Sequence, residues 1–577
     1  MSKFTNKEMG KILQELAALM KINGDNKYRI RAYDNAGRAL INTRDDINEL
    51  AADNRLQEIK GIGEGIADTI QETLEHGFCP ALEELRTELP RGVLELVEIP
   101  GLGPGRAHEL FYELGIKNTA ELKAALEEQR VRKLKGFGPK TEENLLVALK
   151  KYEKYRDLIS INEARQIAGK LKQQLQDRLE KSRISITGST RRWKETVGDI
   201  DILVAAPAGQ REKVVDVITE LDEAADIIAR GSTKVSLRTE AGLQVDFRIV
   251  KFSEFPAALQ YFTGSKEHNV QLRQQAKKAG LKLNEYGLFR EEERIDLETE
   301  ADIYRQLNLA YIIPELREDR GEVEAAAKNK LPRSVKLEDI KGDLHLHTNY
   351  SDGAYSLSGM IEAAADRGYN YLAVTDHSQS LRVASGLSVA ELQKQLQDID
   401  ELAVEYDIRI LKGIEVDILR DGSLDYDDQL LSKLDVVIAS IHTGFNQTAE
   451  EITDRIIQAM RNPHVDIIGH PRGRLLGRRE SYGVNMEEVI SAAVETGTCL
   501  EINASPHRLD LDDLTVRQAV EKGVKIAINT DAHHPEELSD MELGISVARR
   551  GWLEAEDIIN TMDYEDLISF LEGDSNG

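Results

Sequence analysis

Cysteine is nearly absent: Cys79 and Cys499 are the only two in 577 residues, too far apart to share the short spacing of a metal site. A disulfide framework is thereby excluded, and both are expected as buried, reduced thiols. Long apolar runs are lacking too, since none approaches the roughly 20 residues that would cross a bilayer. The opening stretch MSKFTNKEMGKILQELAALM does not follow the basic start, apolar stretch and cleavage site of an export signal. No membrane association is expected, and the cytoplasm is the expected compartment.

What the chain has instead is length and charge. With 41% apolar and 31% charged residues it reads as globular. Its length implies roughly three to five folding units. The net charge of −27 argues at first against nucleic acid, whose phosphates draw on clustered Lys and Arg. Its distribution removes the objection. About −24 falls beyond residue 340, and residues 1–340 stand near −3, with basic stretches at Arg130–Lys140 and Lys266–Lys282. Histidine is skewed in the same way: nine of 12 lie beyond residue 340, many at the ends of apolar runs, which points to a metal site there.

Residues 1–155 carry helical periodicity broken by three related turns, KGIGEGIA at 60–67, PGLGPGRA at 100–107 and KGFGPKTE at 135–142. In each, glycines (Gly61, Gly63, Gly65; Gly101, Gly103, Gly105; Gly136, Gly138) let backbone N–H groups point outward at a helix N-terminus. One copy is an ordinary helix turn as readily as a site. Three copies favour helix-hairpin-helix binding to a DNA backbone.

Residues 183–250 switch to period-two patterning, and there GSTRRWKETVGDIDILV places Asp199 and Asp201 on one face of a strand. Asp246 of VDFRIV can join them from a neighbour. Three converging carboxylates need divalent cations between them, and two Mg²⁺ or Mn²⁺ ions suit attack of a 3′-hydroxyl on a triphosphate. Upstream, Gly188 and Ser189 form a turn able to approach a triphosphate, and Arg191 and Arg192 supply charged donors.

GS-x-RR followed by GDIDILV resembles the nucleotidyltransferase signature of family X DNA polymerases, the DNA polymerase beta type. The resemblance continues in YFTGSKEHNVQLR, 261–273. It implies that Tyr261 and Phe262 line the sugar, that Gly264 admits the nucleotide, and that Asn269 and Arg273 sense the minor-groove edge. Members with deoxyribose-phosphate lyase activity carry a nucleophilic Lys where this chain has Thr69, which cannot form a Schiff base. Such chemistry would need Lys60 or another amine.

From Gly342, apolar runs alternate with helical stretches in an α/β-barrel rhythm, after a charged segment at 316–340 that reads as a linker. His345 and His347 share a strand face and Asp352 follows. His377, Glu415, His442, His470, Asp531 and His533 then come at successive strand ends, where a barrel gathers its active site. Two or three Mn²⁺, Zn²⁺ or Fe ions suit such a set. Asp376 reads as an orienter of a ligand. His464, His507 and His534 fall outside the pattern, as loop histidines. Arg474, Arg478 and Arg479 are candidates for substrate phosphates or simply an exposed basic loop.

HLH, TDH, GIE, SIHT, GHP and TDAH resemble the polymerase and histidinol phosphatase (PHP) domain. The whole is similar to family X polymerases with a C-terminal PHP domain. The fold class is then multidomain, α+β and α/β. It comprises a helical helix-hairpin-helix region at 1–155, a palm at 156–250, a thumb at 251–315, the linker, and a distorted (β/α)7 PHP barrel at 341–577. The resemblance implies short-gap filling on gapped or primer-template DNA with deoxynucleoside triphosphates, in base excision repair or end joining. It also implies a metal-dependent 3′-5′ exonuclease and an abasic-site endonuclease, with a monomer expected. Two alternatives remain: a PHP domain that hydrolyses pyrophosphate or a small phosphate monoester, and a noncatalytic DNA scaffold.

Overall fold

The computed structural model describes residues 4–41, 43, 46–155, 158–240, 242–477 and 479–573. It divides into two compact units, Met1–Asp157 and Leu158–Gly577.

The first unit is helical. Its opening helix, Asn6–Asn23, starts at a capping box between Thr5 and Glu8 and stops at Gly24. The three glycine turns have one geometry. Gly61, Gly101 and Gly136 take φ of +102°, +85° and +90°, a region costly for any residue with a Cβ. The next residue, Ile62, Leu102 or Phe137, plugs the core at 4% exposure or less. A helix then begins, Glu64–His76, Pro104–Leu114 or Pro139–Tyr155. An apolar plug thus anchors each turn, while Gly61, Gly63, Gly101, Gly103, Gly136 and Gly138 border open space. Thr69 is buried and bonded to Tyr33 Oη at 2.9 Å, while Lys60 is exposed.

The second unit holds two sheets that matter for function. Five strands form the palm sheet in the order Arg183–Ile186, Asp199–Ala206, Gln244–Lys251, Lys234–Arg238, Asp226–Arg230. The second and third are parallel and the other pairs antiparallel. The apolar run behind Asp199 and Asp201 is buried, which anchors that strand and leaves its acidic start at the rim. Helices Phe255–Thr263 and Lys266–Lys278 and a three-stranded antiparallel sheet form the thumb.

Seven parallel strands, from Gly342–Asp343 to Ile526–Asn529, pair strictly in chain order. The ring is joined where Leu346 bridges Ala532 and the His347 amide donates to the Ala532 carbonyl at 2.8 Å. The first strand is shorter than the sequence suggests. It ends at Asp343, whose carboxylate accepts from Thr530 Oγ1 at 2.5 Å, so His345 and His347 lie on an irregular extension beyond it.

The charged segment 316–340 is not a free linker. Arg317 and Glu322 are fully buried, because each charge has a partner: Arg317 Nη1 donates to Glu300 at 2.5 Å and Glu322 accepts from His268 at 2.7 Å. Val335 enters the barrel core, as do Trp193 and Val197 of the palm. Among the described residues no helix is long and apolar enough to cross a membrane.

Candidate active sites in the palm and the barrel

In the palm, Asp201 faces Asp246 across the parallel pair, and Asp199 lies two residues earlier opposite Gln244. Burial, then Asp199 and Asp246, push the Asp201 carboxyl up to about 7. Asp199 is raised by burial and Asp246. Burial works against the charge of Asp246, but hydrogen bonds from Lys234 Nζ at 2.8 Å and Gln244 Nε2 at 3.0 Å outweigh it and hold its carboxyl low. The triad is unbalanced without cations, and its all-oxygen donor set suits Mg²⁺ or Mn²⁺. Gly188 has φ +63°, and a Cβ there would collide with the Asp201 carboxylate. Glycine is what lets the Gly188–Arg191 turn rest on the acidic edge.

The two arginines after that turn are not free. Arg191 pairs with Glu300 at 2.8 Å, and Arg192 donates Nε to Glu318 at 3.0 Å and Nη1 to the Thr263 carbonyl at 2.6 Å. Gly264, at φ +71°, leaves room for that approach, since a Cβ would stand 3.1 Å from Arg192 Nη1. Tyr261 and Phe262 pack edge to face at 5.2 Å, with Arg248 over the Phe262 ring. Asn269 is buried and donates to the Tyr261 carbonyl at 2.7 Å, so its amide positions the aromatic pair. Arg273 is exposed on the same helix.

In the barrel, all nine sequence candidates converge. Ligand atoms of three groups lie within 4.8 Å of one another: His347, Asp352, His377 and His533; His345, His347 and Asp531; His377, Glu415 and His442. His470 joins through Nε2, 3.0 Å from Glu415 Oε1. His345 Nε2, His347 Nδ1 and His470 Nδ1 are buried with no hydrogen-bond partner among the described residues, which fits open ligand positions for metal. Burial, then the charges of His533 and His377, drives His347 down to about 3. At His442, burial is outweighed by Glu415 and Asp417, which raise it to about 10.

Sequence reasoning missed the groups that aim these side chains. Glu501 is fully buried and accepts from His345 Nδ1 at 2.7 Å and from the His470 amide at 2.7 Å. Asp417 accepts from His442 Nδ1 at 2.7 Å. Each is a carboxylate inside an apolar strand, CLEIN and GIEVD, and that oddity was the available signal. Arg508 Nε stands 3.5 Å from Asp531 at the same rim. Asp376 does orient, but it fixes a loop and not a histidine: it accepts from the Thr348 amide at 2.8 Å and from Thr348 Oγ1 at 2.6 Å. Arg474 is turned away from the site and grips Glu195 of the palm at 2.9 and 3.0 Å. Arg479 lies over Phe445, and Arg478 is outside the described residues. His507 is exposed, while His464 and His534 are half-buried in loops.

Comparison with known proteins matches successive stretches to established families. Residues 4–79 match the helix-hairpin-helix domain and 93–151 the SAM-like helix-hairpin-helix tandem. Residues 159–241 match the DNA polymerase beta palm, 258–318 the DNA polymerase beta thumb, and 343–505 the PHP domain. A Bacillus subtilis (strain 168) protein named DNA polymerase/3′-5′ exonuclease PolX is 41% identical over 573 residues, 98% of this chain and 99% of that protein. A probable phosphatase of Thermoanaerobacter sp. (strain X514) is 34% identical over 230 residues, 38% of this chain and 89% of its own. Another, from Syntrophotalea carbinolica (strain DSM 2380 / NBRC 103641 / GraBd1), is 30% identical over 239 residues, 40% and 95% respectively.

Proposed function

This chain belongs to the PolX family of DNA polymerase/3′-5′ exonucleases, and on that premise we propose that it fills short DNA gaps with its palm and trims 3′ ends with its barrel. In this reading Asp199, Asp201 and Asp246 hold the polymerase cations, Mg²⁺ or Mn²⁺. The Gly188–Ser189 turn and Arg192 take the triphosphate. Tyr261, Phe262 and Gly264 border the sugar, and Asn269 with Arg273 faces the base-pair edge. The glycine turns at 61–65, 101–105 and 136–138 hold DNA phosphates. Divalent cations, when bound, supply charge stabilisation for phosphoryl transfer in the palm and for hydrolysis in the barrel.

The observation that carries the barrel half is the set of buried imidazole nitrogens that have no hydrogen-bond partner among the described residues, ringed by Asp352, Glu415 and Asp531. We assign His345, His347, Asp352, His377, Glu415, His442, His470, Asp531 and His533 to two or three ions, Mn²⁺, Zn²⁺ or Fe. Gapped or primer-template DNA and deoxynucleoside triphosphates are the substrates. The same reading has the protein act as a cytoplasmic monomer in base excision repair or end joining, with abasic-site cleavage as a further barrel activity.

A second reading has one observation in its favour: the barrel alone resembles whole proteins named probable phosphatases. A 5′-labelled primer on a one-nucleotide gap, with Mn²⁺ and with or without nucleotides, separates the two. Extension with nucleotides and shortening without them supports the exonuclease. Release of phosphate from small monoesters or pyrophosphate, with no shortening, supports the phosphatase.

A further inference from the structure

The stretch Arg192–Val197, which joins the two signatures of the palm, is held from behind by the barrel. Trp193 and Val197 sit in the barrel's apolar core, and Glu195 is gripped by Arg474. The Arg192 carbonyl accepts from Arg550 Nη1 at 2.8 Å. Arg550 ends the barrel helix Met541–Arg550 and is 3% exposed. Its Nη1 also donates to Glu318 Oε1 at 3.0 Å, and its Nη2 lies 2.8 Å from Asp513. The same Glu318 oxygen accepts from Arg192 Nε at 3.0 Å. One carboxylate oxygen is therefore shared by a barrel arginine and a palm arginine.

Sharing sets up a competition. To meet a phosphate, the Arg192 guanidinium must loosen from Glu318. A largely buried carboxylate stripped of its cation is destabilising. Arg550 lowers that barrier, since Glu318 keeps a charge-assisted donor when Arg192 turns away. Asp513 fixes the other end of the Arg550 guanidinium, 2.8 Å from Nη2, and Arg320 pairs with the same carboxylate at 3.0 Å.

We infer that Arg550, a barrel residue, is a positioning residue of the polymerase reaction: by holding Glu318 it frees Arg192 for the triphosphate of the incoming nucleotide. The inference rests on the reading of Arg192 as a triphosphate ligand.

Gap filling by the full-length chain, with nucleotide concentration varied, tests it. Arg550→Met should raise the nucleotide KM about tenfold, the equivalent of about 1.4 kcal/mol, with kcat little changed. Glu318→Gln removes the competing charge, so its KM should be at or below wild type. The double variant should return close to the wild-type KM, whereas a merely structural role would add the two losses. Strand shortening by Arg550→Met should persist, reporting a folded barrel. An unchanged KM in Arg550→Met, or a double variant as impaired as Arg550→Met, overturns the inference. Should Arg550→Met fail to fold, Glu318→Gln decides alone, and a raised KM overturns it. Arg192→Ala separates the two levels. If it leaves KM unchanged, the triphosphate reading itself fails; if it raises KM while the others behave as wild type, only the role of Arg550 fails.

Discussion

Asp201 stands directly opposite Asp246 on adjacent parallel strands, and Lys234 Nζ, 2.8 Å from Asp246, pairs directly with that member of the two. Asp201 is thus the carboxylate most dependent on a bound cation. Asp201→Asn should cost about two to three orders of magnitude in nucleotide addition, the scale of losing one electrostatic stabiliser of a transition state. Strand shortening should survive. Loss of both activities in a variant that still melts cooperatively would overturn the separation of the two sites.

Tyr261→Ala should relax discrimination against ribonucleotides by about tenfold or more, because removing the ring opens space beside the sugar. Asn269→Ala should act in the same direction, since the Asn269 amide holds the Tyr261 carbonyl. The ratio of deoxy to ribo incorporation, measured for both, checks this. An unchanged ratio would move the gate to Phe262 or the backbone.

His345→Ala with His347→Ala should lower bound metal and abolish strand shortening while gap filling continues. Glu501→Ala leaves every candidate ligand in place but frees the His345 ring and the His470 backbone amide, so it should weaken metal affinity about 10- to 100-fold. Metal content after dialysis against a chelator, read beside both activities, tests the pair. Shortening at the wild-type rate by a metal-depleted double variant would place the nuclease elsewhere.

Burial opposes ionisation of Glu300, but Arg317 and Arg191 outweigh it and hold its carboxyl at about 2. A carboxyl depressed in the folded state stabilises above its unfolded pKa and loses that contribution as pH falls through the folded one. Wild type should therefore exceed Glu300→Gln in stability by about 3 kcal/mol near neutrality. The gap should close between about pH 4.5 and 2. Parallel denaturation curves across that range give the answer, and a gap independent of pH would refute it.

The sequence was most informative where spacing and chemistry coincide. The carboxylates at 199 and 201 and the histidines at successive strand ends were legible because strands alternate faces and a barrel gathers its strand termini. Glu501 and Asp417 were not, since a carboxylate that only aims an imidazole repeats at no fixed interval from it. The segment 316–340 misled for a related reason. Its charges look solvated in sequence, yet Arg317 and Glu322 are buried against Glu300 and His268, partners 17 and 54 residues away. Arg474 and Arg192 show the same limit, because their carboxylate partners lie far off along the chain.

Trp193, Val197 and Ile161, palm residues by sequence, are built into the apolar interior of the barrel. A gene cut at residue 340 would therefore not yield two healthy halves. The palm fragment would present an indole to water, and the barrel fragment would carry a void where the indole had been. Calorimetry of the intact chain should show one melting event spanning palm and barrel. The two chemistries are consequently not exchangeable cassettes: any graft of a foreign barrel must bring its own socket for Trp193.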